Sequence, residues 1–355
     1  MHHGIPALSL VLFLVSCNGE NGRLEIAAEY PAPDEDATIR QLIDLTKQSL
    51  LERHPTGKTL RFNQPRHVGC VRAEFSVESD LPDDLRVGLF AAPRTFPAWI
   101  RFANASSASD TEKDFRGMSL KLMQVEGPKL VGTGETHDFV LNSHPVLFVG
   151  NPEDFLEFVE YSLNSHRALF FFNPFDPNSR EFKIVRAGRR HHPSHLAIPY
   201  WSTTPYLFGA GKAVKYAAKP CSQATVEPPD KPTEGYLREA MRGQLASGGA
   251  CFEFMVQFQT DPEQMPVEDA TVEWDETVSP FRKVATVRIP GQSFESPERM
   301  EFCENLAFNP WRCLAEHRPL GGLNRARKAL YQELAEFRHR RNNVGYTEPT
   351  GDEGF

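Results

Sequence analysis

From Cys251 to Gln259 the chain alternates strictly, with Phe252, Phe254, Val256 and Phe258 on one side and Glu253 and Gln257 on the other. Successive side chains of a strand point to opposite faces, so this segment is expected to be a β-strand with one large apolar face. Residues 267–274 and 284–289 carry the same period and are expected as further strands, and Gly209 and Gly211 mark a turn leading into another, ending near Tyr216. Helical spacing lies towards the two ends. Asp34 to Arg53 places Ile39, Leu42, Ile43, Leu50 and Leu51 on one side, and the stretch around Tyr331 repeats the pattern. Strands followed by later helices imply an α+β chain, an antiparallel β-barrel with flanking helices. The 355 residues would allow two domains, but no linker-like composition interrupts residues 55–340, so one domain is expected over 34–341.

On the late helix, Arg327, Tyr331 and Arg338 share a face, because positions four and eleven apart return to within about 40° of the starting direction. Leu330, Leu334 and Phe337 form the neighbouring apolar stripe. A phenol flanked by two guanidinium groups is favoured in its ionised form, against an ordinary pKa of about 10. A tyrosinate is a good ligand for ferric iron. An amphipathic helix with a buried tyrosine and two solvated arginines accounts for the same residues, and on this segment alone it is the simpler reading.

Arg327-x-x-x-Tyr331 with a further arginine at Arg338 resembles the proximal haem helix of the haem catalase superfamily, and the short, catalase-related bacterial proteins in particular. The resemblance extends upstream through Phe308-Asn309-Pro310 and Pro319-Leu320-Gly321-Gly322-Leu323-Asn324. In the N-terminal half it continues through the segment from Gly69 to Phe75, Pro97-Ala98-Trp99-Ile100-Arg101-Phe102, Asp114-Phe115-Arg116-Gly117-Met118 and Asp138-Phe139-Val140-Leu141-Asn142. These pieces are collinear from about residue 55 to residue 340. The resemblance implies a catalase-like barrel holding haem b, with Tyr331 as the axial iron ligand. It implies that Arg61, Phe155, Arg327 and Arg338 contact the cofactor, Phe155 stacking on the porphyrin, and that Arg101 and Asn142 stand with the distal residues.

The departures fall in the distal pocket. Where the family carries Arg-x-x-His, whose histidine moves a proton between the peroxide oxygens, this chain reads Arg61-Phe62-Asn63-Gln64, and the serine supporting that histidine is Ala103. A glutamine amide donates a hydrogen bond but does not take up and return a proton near neutral pH. A positioned acid–base group contributes 10²–10⁴-fold, so weak disproportionation is expected. His67 is the possible substitute, although positions three apart in a regular strand face opposite ways and a bulge is needed to bring it over. The resemblance therefore implies an enzyme acting on hydrogen peroxide or an organic hydroperoxide; the alternative is a haem-binding carrier or sensor without turnover.

Ile5 to Val15 is apolar but short for a membrane span, and Leu14-Val15-Ser16-Cys17 resembles a bacterial lipoprotein signal, although the first four residues lack Lys or Arg. This implies export to the bacterial periplasm or envelope, a signal segment over 1–17 cleaved before Cys17 so that this cysteine stays to be diacylated, and a tether over 18–33, the anchor being the chain's one membrane contact; an ordinary secretory peptide with a chance cysteine is the alternative. Residues 342–355 are expected as a flexible tail. Of the other cysteines, Cys303 with Cys313 and Cys221 with Cys251 are the nearest pairs along the chain, and Cys70 is expected to pack as a small apolar residue. No zinc-type spacing is present. A net charge of −8 without an extensive basic cluster implies no DNA or RNA partner.

Overall fold

A computed structural model describes residues 23–164, 166–172, 178–222 and 227–355. In chain order the elements are α1 (Glu35–Arg53), β1 (His67–Val77), β2 (Thr95–Asn104), β3 (Arg116–Leu122), β4 (His137–Asn142), α2 (Pro152–Leu163), α3 (Arg167–Phe172), α4 (Ser179–Gly188), β5 (Tyr200–Trp201), β6 (Tyr206–Leu207), β7 (Ala213–Pro220), α5 (Tyr236–Ser247), β8 (Gly249–Phe258), β9 (Arg282–Pro290), α6 (Pro297–Asn305) and α7 (Gly322–Arg341). The strands run β5-β4-β3-β2-β1-β9-β8-β7, every pairing antiparallel, and β5 pairs back onto β7. Eight strands thus close into a barrel, and β6 pairs with β7 outside the ring. Closure removes the sheet edges.

The expected alternation in β8 is present, with Phe252, Phe254 and Val256 fully buried inside the barrel. Phe254 meets Phe139 at 4.8 Å between ring centroids and Phe75 at 5.0 Å. Burying each such side chain is worth about 1.5–3 kcal/mol, and an eight-stranded barrel is just wide enough to be filled by side chains. Chemistry is therefore sought on the outer wall. There, β3 is buried on both faces, because its outward Lys121 is taken up by Asp138 at 2.7 Å and Glu348 at 2.8 Å. Arg312 joins both carboxylates, at 2.7 and 2.8 Å.

Several expectations are corrected. Residues 267–274 form a loop rather than a strand: Asp269 accepts from both the backbone and the hydroxyl of Thr271, a local turn that competes with ladder pairing. Leu51 is exposed while Ile39, Leu42, Ile43 and Leu50 are buried as expected. Cys303 is bonded to Cys70, not Cys313, because β1 turns Cys70 outward under α6, at a Cα separation of 5.5 Å across 233 residues of sequence. Cys221 pairs with Cys251, and Cys313 is free and buried. Residues 342–355 lie against the barrel wall: Glu353 accepts from the Trp99 indole at 2.8 Å, and Phe355 packs on Trp99 and Phe302. Within the expected tether, Glu29 binds Arg318 and Arg325. Residues 1–22, including Cys17, lie outside the described residues.

Candidate functional site

Near the start of β1 a register shift between His67 and Gly69 breaks the regular pairing with β2. From there one row runs across the outer wall: His67 opposite Ala103, Ala103 opposite Gly117, Gly117 opposite Asn142. Register partners share a face, so these four positions look outward together. Gln64 folds over this row. Its backbone sits at φ 56°, a left-handed conformation that a non-glycine residue occupies only when its surroundings hold it there. The holding contacts are its N–H to the Ala105 carbonyl at 2.7 Å and Arg101, which donates to the Gln64 carbonyl at 2.9 Å and to Oε1 at 3.4 Å. Gly117 makes the position possible, since a Cβ there would overlap the Gln64 amide. Beside it, Asn142 Oδ1 is buried without a partner. Two amides thus gather on one wall with unused polar capacity.

Next to the row lies a group of buried charges. Arg61 meets Glu304 at 3.1 Å and Arg338 meets it at 3.7 Å, while Arg338 also donates to the Glu304 and Leu306 carbonyls. Arg101 feels the same set: burial first, then the Arg61 charge, hold its guanidinium well below its ordinary pKa, with Glu304 opposing. Burial and the Arg61 charge likewise pull Arg338 down to about 9. Two guanidiniums thus pair with one carboxylate, and a third, Arg101, lies near it bonded to Gln64. His67 sits at the edge with Nε2 3.8 Å from Glu304 and Nδ1 unpartnered. Burial, then Arg101 and Arg61, push the imidazole down to about 2, so it stays neutral. The bulge that the sequence required of His67 is present, yet the side chain over Gly117 is that of Gln64.

The helix expected around Tyr331 is α7, entered through Gly321 at φ 86°, where the backbone approaches the Val267 carbonyl too closely for a Cβ. Tyr331 is half-buried and packs against a cluster that includes Trp99, Val140, Leu306 and Phe308. Val140 lies two residues before Asn142 on β4, so the phenol and the amide row address the same wall. Neither expected guanidinium bonds the phenol. Arg327 donates to Thr204 at 2.8 Å and Asn324 at 3.1 Å, and Arg338 is occupied as above. Phe155 is carried by α2, capped by the Asn151 side chain accepting from the Asp154 N–H at 2.9 Å. It bridges two apolar clusters, one with Leu330 and Phe62, the other with Leu323 and Val149.

Glu304 was not visible in the sequence. No spacing marks it, and only the Cys70–Cys303 bond, one residue away, brings α6 and its carboxylate to the arginines. Among the described residues no group of three or more His, Cys, Asp or Glu is arranged to hold a metal ion; a haem iron held by a phenol needs no such group.

The closed eight-stranded barrel with this outer-wall site and flanking helices is a catalase-like fold. The sequence matches no family model and no curated protein. Among solved structures the chain is similar to a fungal catalase (TM-score 0.65, 18% identity, over 90% of this chain and 66% of that one). It is similar to catalase A from Saccharomyces cerevisiae (0.66, 18%, 95% and 73%) and to a bacterial catalase (0.59, 16%, 95% and 67%). The chain therefore spans about two thirds to three quarters of the length of these catalases.

Proposed function

We propose that this chain is an exported haem b protein that acts on hydrogen peroxide or an organic hydroperoxide, with weak catalase-type disproportionation. The observation that carries the reading is the charge imbalance on the outer wall: Arg61 and Arg338 pair with Glu304, and the buried Arg101 beside them has no ion pair among the described residues. Two further negative charges would balance them, and protoporphyrin carries two propionates. Unused amide capacity at Gln64 and Asn142, and a phenol at Tyr331 facing the same wall, support a planar group between them. Bound there, haem would supply a redox-active iron for attack on a peroxide bond. Tyr331 would bind its iron, Arg61, Arg101 and Arg338 would hold the propionates, and Phe155 would pack on the porphyrin. Gln64 Nε2 and Asn142 would orient the substrate. Two disulfides support an oxidising compartment, consistent with export and acylation at Cys17.

A carrier or sensor without turnover is the second reading, favoured by one observation. The side chain seated over Gly117 is that of Gln64, an amide that does not take up and return a proton near neutral pH.

The test is the absorption spectrum of the protein supplied with haem, compared with Tyr331→Phe. Stoichiometric uptake with a high-spin ferric tyrosinate spectrum, lost in the variant, is the expected result. Identical spectra, or no stoichiometric haem in either protein, would sink the proposal.

A further inference from the structure

Leu169 and Phe172 lie on one short helix, α3, and are 47% and 58% exposed, Phe172 more than any other large apolar residue described. Phe172 meets Phe182 of α4 edge to face at 4.7 Å between ring centroids, and Phe182 rests half-buried on the cluster beneath. Only Gly188 of α4 is buried, so this helix lies on the molecule rather than in it. Its outer side presents Lys183 and Arg186, both exposed and without an ion pair among the described residues, followed by Arg190. Arg167 stands at the other end, exposed, over the Phe158 ring. Between positions 166 and 190 the sequence has six basic residues against two acidic ones, in a chain whose net charge is −8. Of these, Arg180 pairs with Asp269 and Arg189 with Glu112, which leaves Arg167, Lys183, Arg186 and Arg190 without an ion pair among the described residues.

We propose that the face formed by α3 and α4 docks on an anionic lipid surface, Leu169 and Phe172 entering the acyl boundary while Arg167, Lys183, Arg186 and Arg190 meet the phosphates. Charge complementarity selects the partner: four cations without an ion pair among the described residues gather here on a chain whose net charge is −8, and they attract an anionic surface. The two exposed apolar side chains select lipid over a polyanion such as nucleic acid, which offers phosphate but no hydrocarbon. This contact goes beyond the N-terminal anchor and does not depend on haem.

The experiment is co-sedimentation of the mature chain from residue 18 onward, so that neither the apolar leader nor acylation plays a part, with phosphatidylglycerol-containing vesicles and with pure phosphatidylcholine vesicles. Binding is expected to favour the anionic vesicles and to weaken in high salt. Lys183→Glu/Arg186→Glu should weaken it by at least tenfold, at about fivefold per charge removed, and Leu169→Ser/Phe172→Ser by about tenfold through lost apolar insertion, with Tm little changed because these side chains are exposed. Wild-type binding by both variants, or equal binding to the two vesicle types, would overturn the proposal. So would an absence of vesicle binding together with a dimer in sedimentation velocity that Phe172→Ser abolishes, which would assign the face to a second copy of the chain.

Discussion

At the residue scale the informative position is Gln64, held in a left-handed conformation by Arg101 and seated on Gly117. Such a conformation costs on the order of 1–3 kcal/mol and persists where surrounding contacts impose it. The constraint fixes an amide where the resemblance requires a base. With haem bound, Gln64→His/Ala103→Ser is expected to raise oxygen evolution from peroxide about tenfold or more, because it restores a group that can shuttle a proton and a hydroxyl to orient it. The absence of any gain in the haem-loaded double variant would mean that Gln64 does not face the substrate. The arginines of this site also show how far spacing reaches. The helical period placed Arg327, Tyr331 and Arg338 near one face of a helix, and α7 is that helix. It did not disclose that Arg338 turns to the Glu304 and Leu306 carbonyls or that Arg327 turns to Thr204.

At the scale of elements, α7 is joined to its surroundings through Arg325, which binds Glu35 of α1 at 2.6 Å through both Nε and Nη2, Glu29 at 2.6 Å and Glu268 at 2.9 Å. One guanidinium ties the N-terminal segment, the first helix and the 268 loop to the helix that carries Tyr331. Arg325→Ala would leave three carboxylates together, and the expected cost is about 3–5 kcal/mol in urea unfolding, with α1 and residues 23–33 losing hydrogen-exchange protection first. A loss below about 1 kcal/mol would show that the network is surface decoration. The sign with pH follows from Glu29. Burial opposes its ionisation, but hydrogen bonds from Arg318, the Gly321 N–H and Arg325 outweigh that and hold its pKa below 4.5. Its contribution is therefore present above the unfolded value and lost as pH falls through the depressed folded one.

For the whole molecule, histidines dominate acid sensitivity. Burial, then Arg101 and Arg61, lower His67 to about 2, and burial lowers His317 to about 4 against opposing hydrogen bonds, both from an ordinary 6.5. The unfolded chain then binds more protons than the folded one below pH 6.5, and each of these two groups removes about 1.4 kcal/mol per pH unit between there and pH 4. Stability measured by urea unfolding should fall steadily from pH 6.5 to pH 4 with at least this combined slope, and His317→Gln should flatten it; a pH-independent midpoint over that range would contradict the assignment. Local periodicity was enough to reveal β8, β9, α1 and α7 and the α+β class, because alternation and helical stripes are written in neighbouring residues. The collinear resemblance was enough to indicate the barrel. Three features belong to the tertiary structure alone: the Cys70–Cys303 pairing, the seating of residues 342–355 against Trp99, and the convergence of Arg61 and Arg338 on Glu304 beside Arg101. Each joins residues far apart in the chain, and no local period records which distant side chain closure of the barrel will bring within bonding distance.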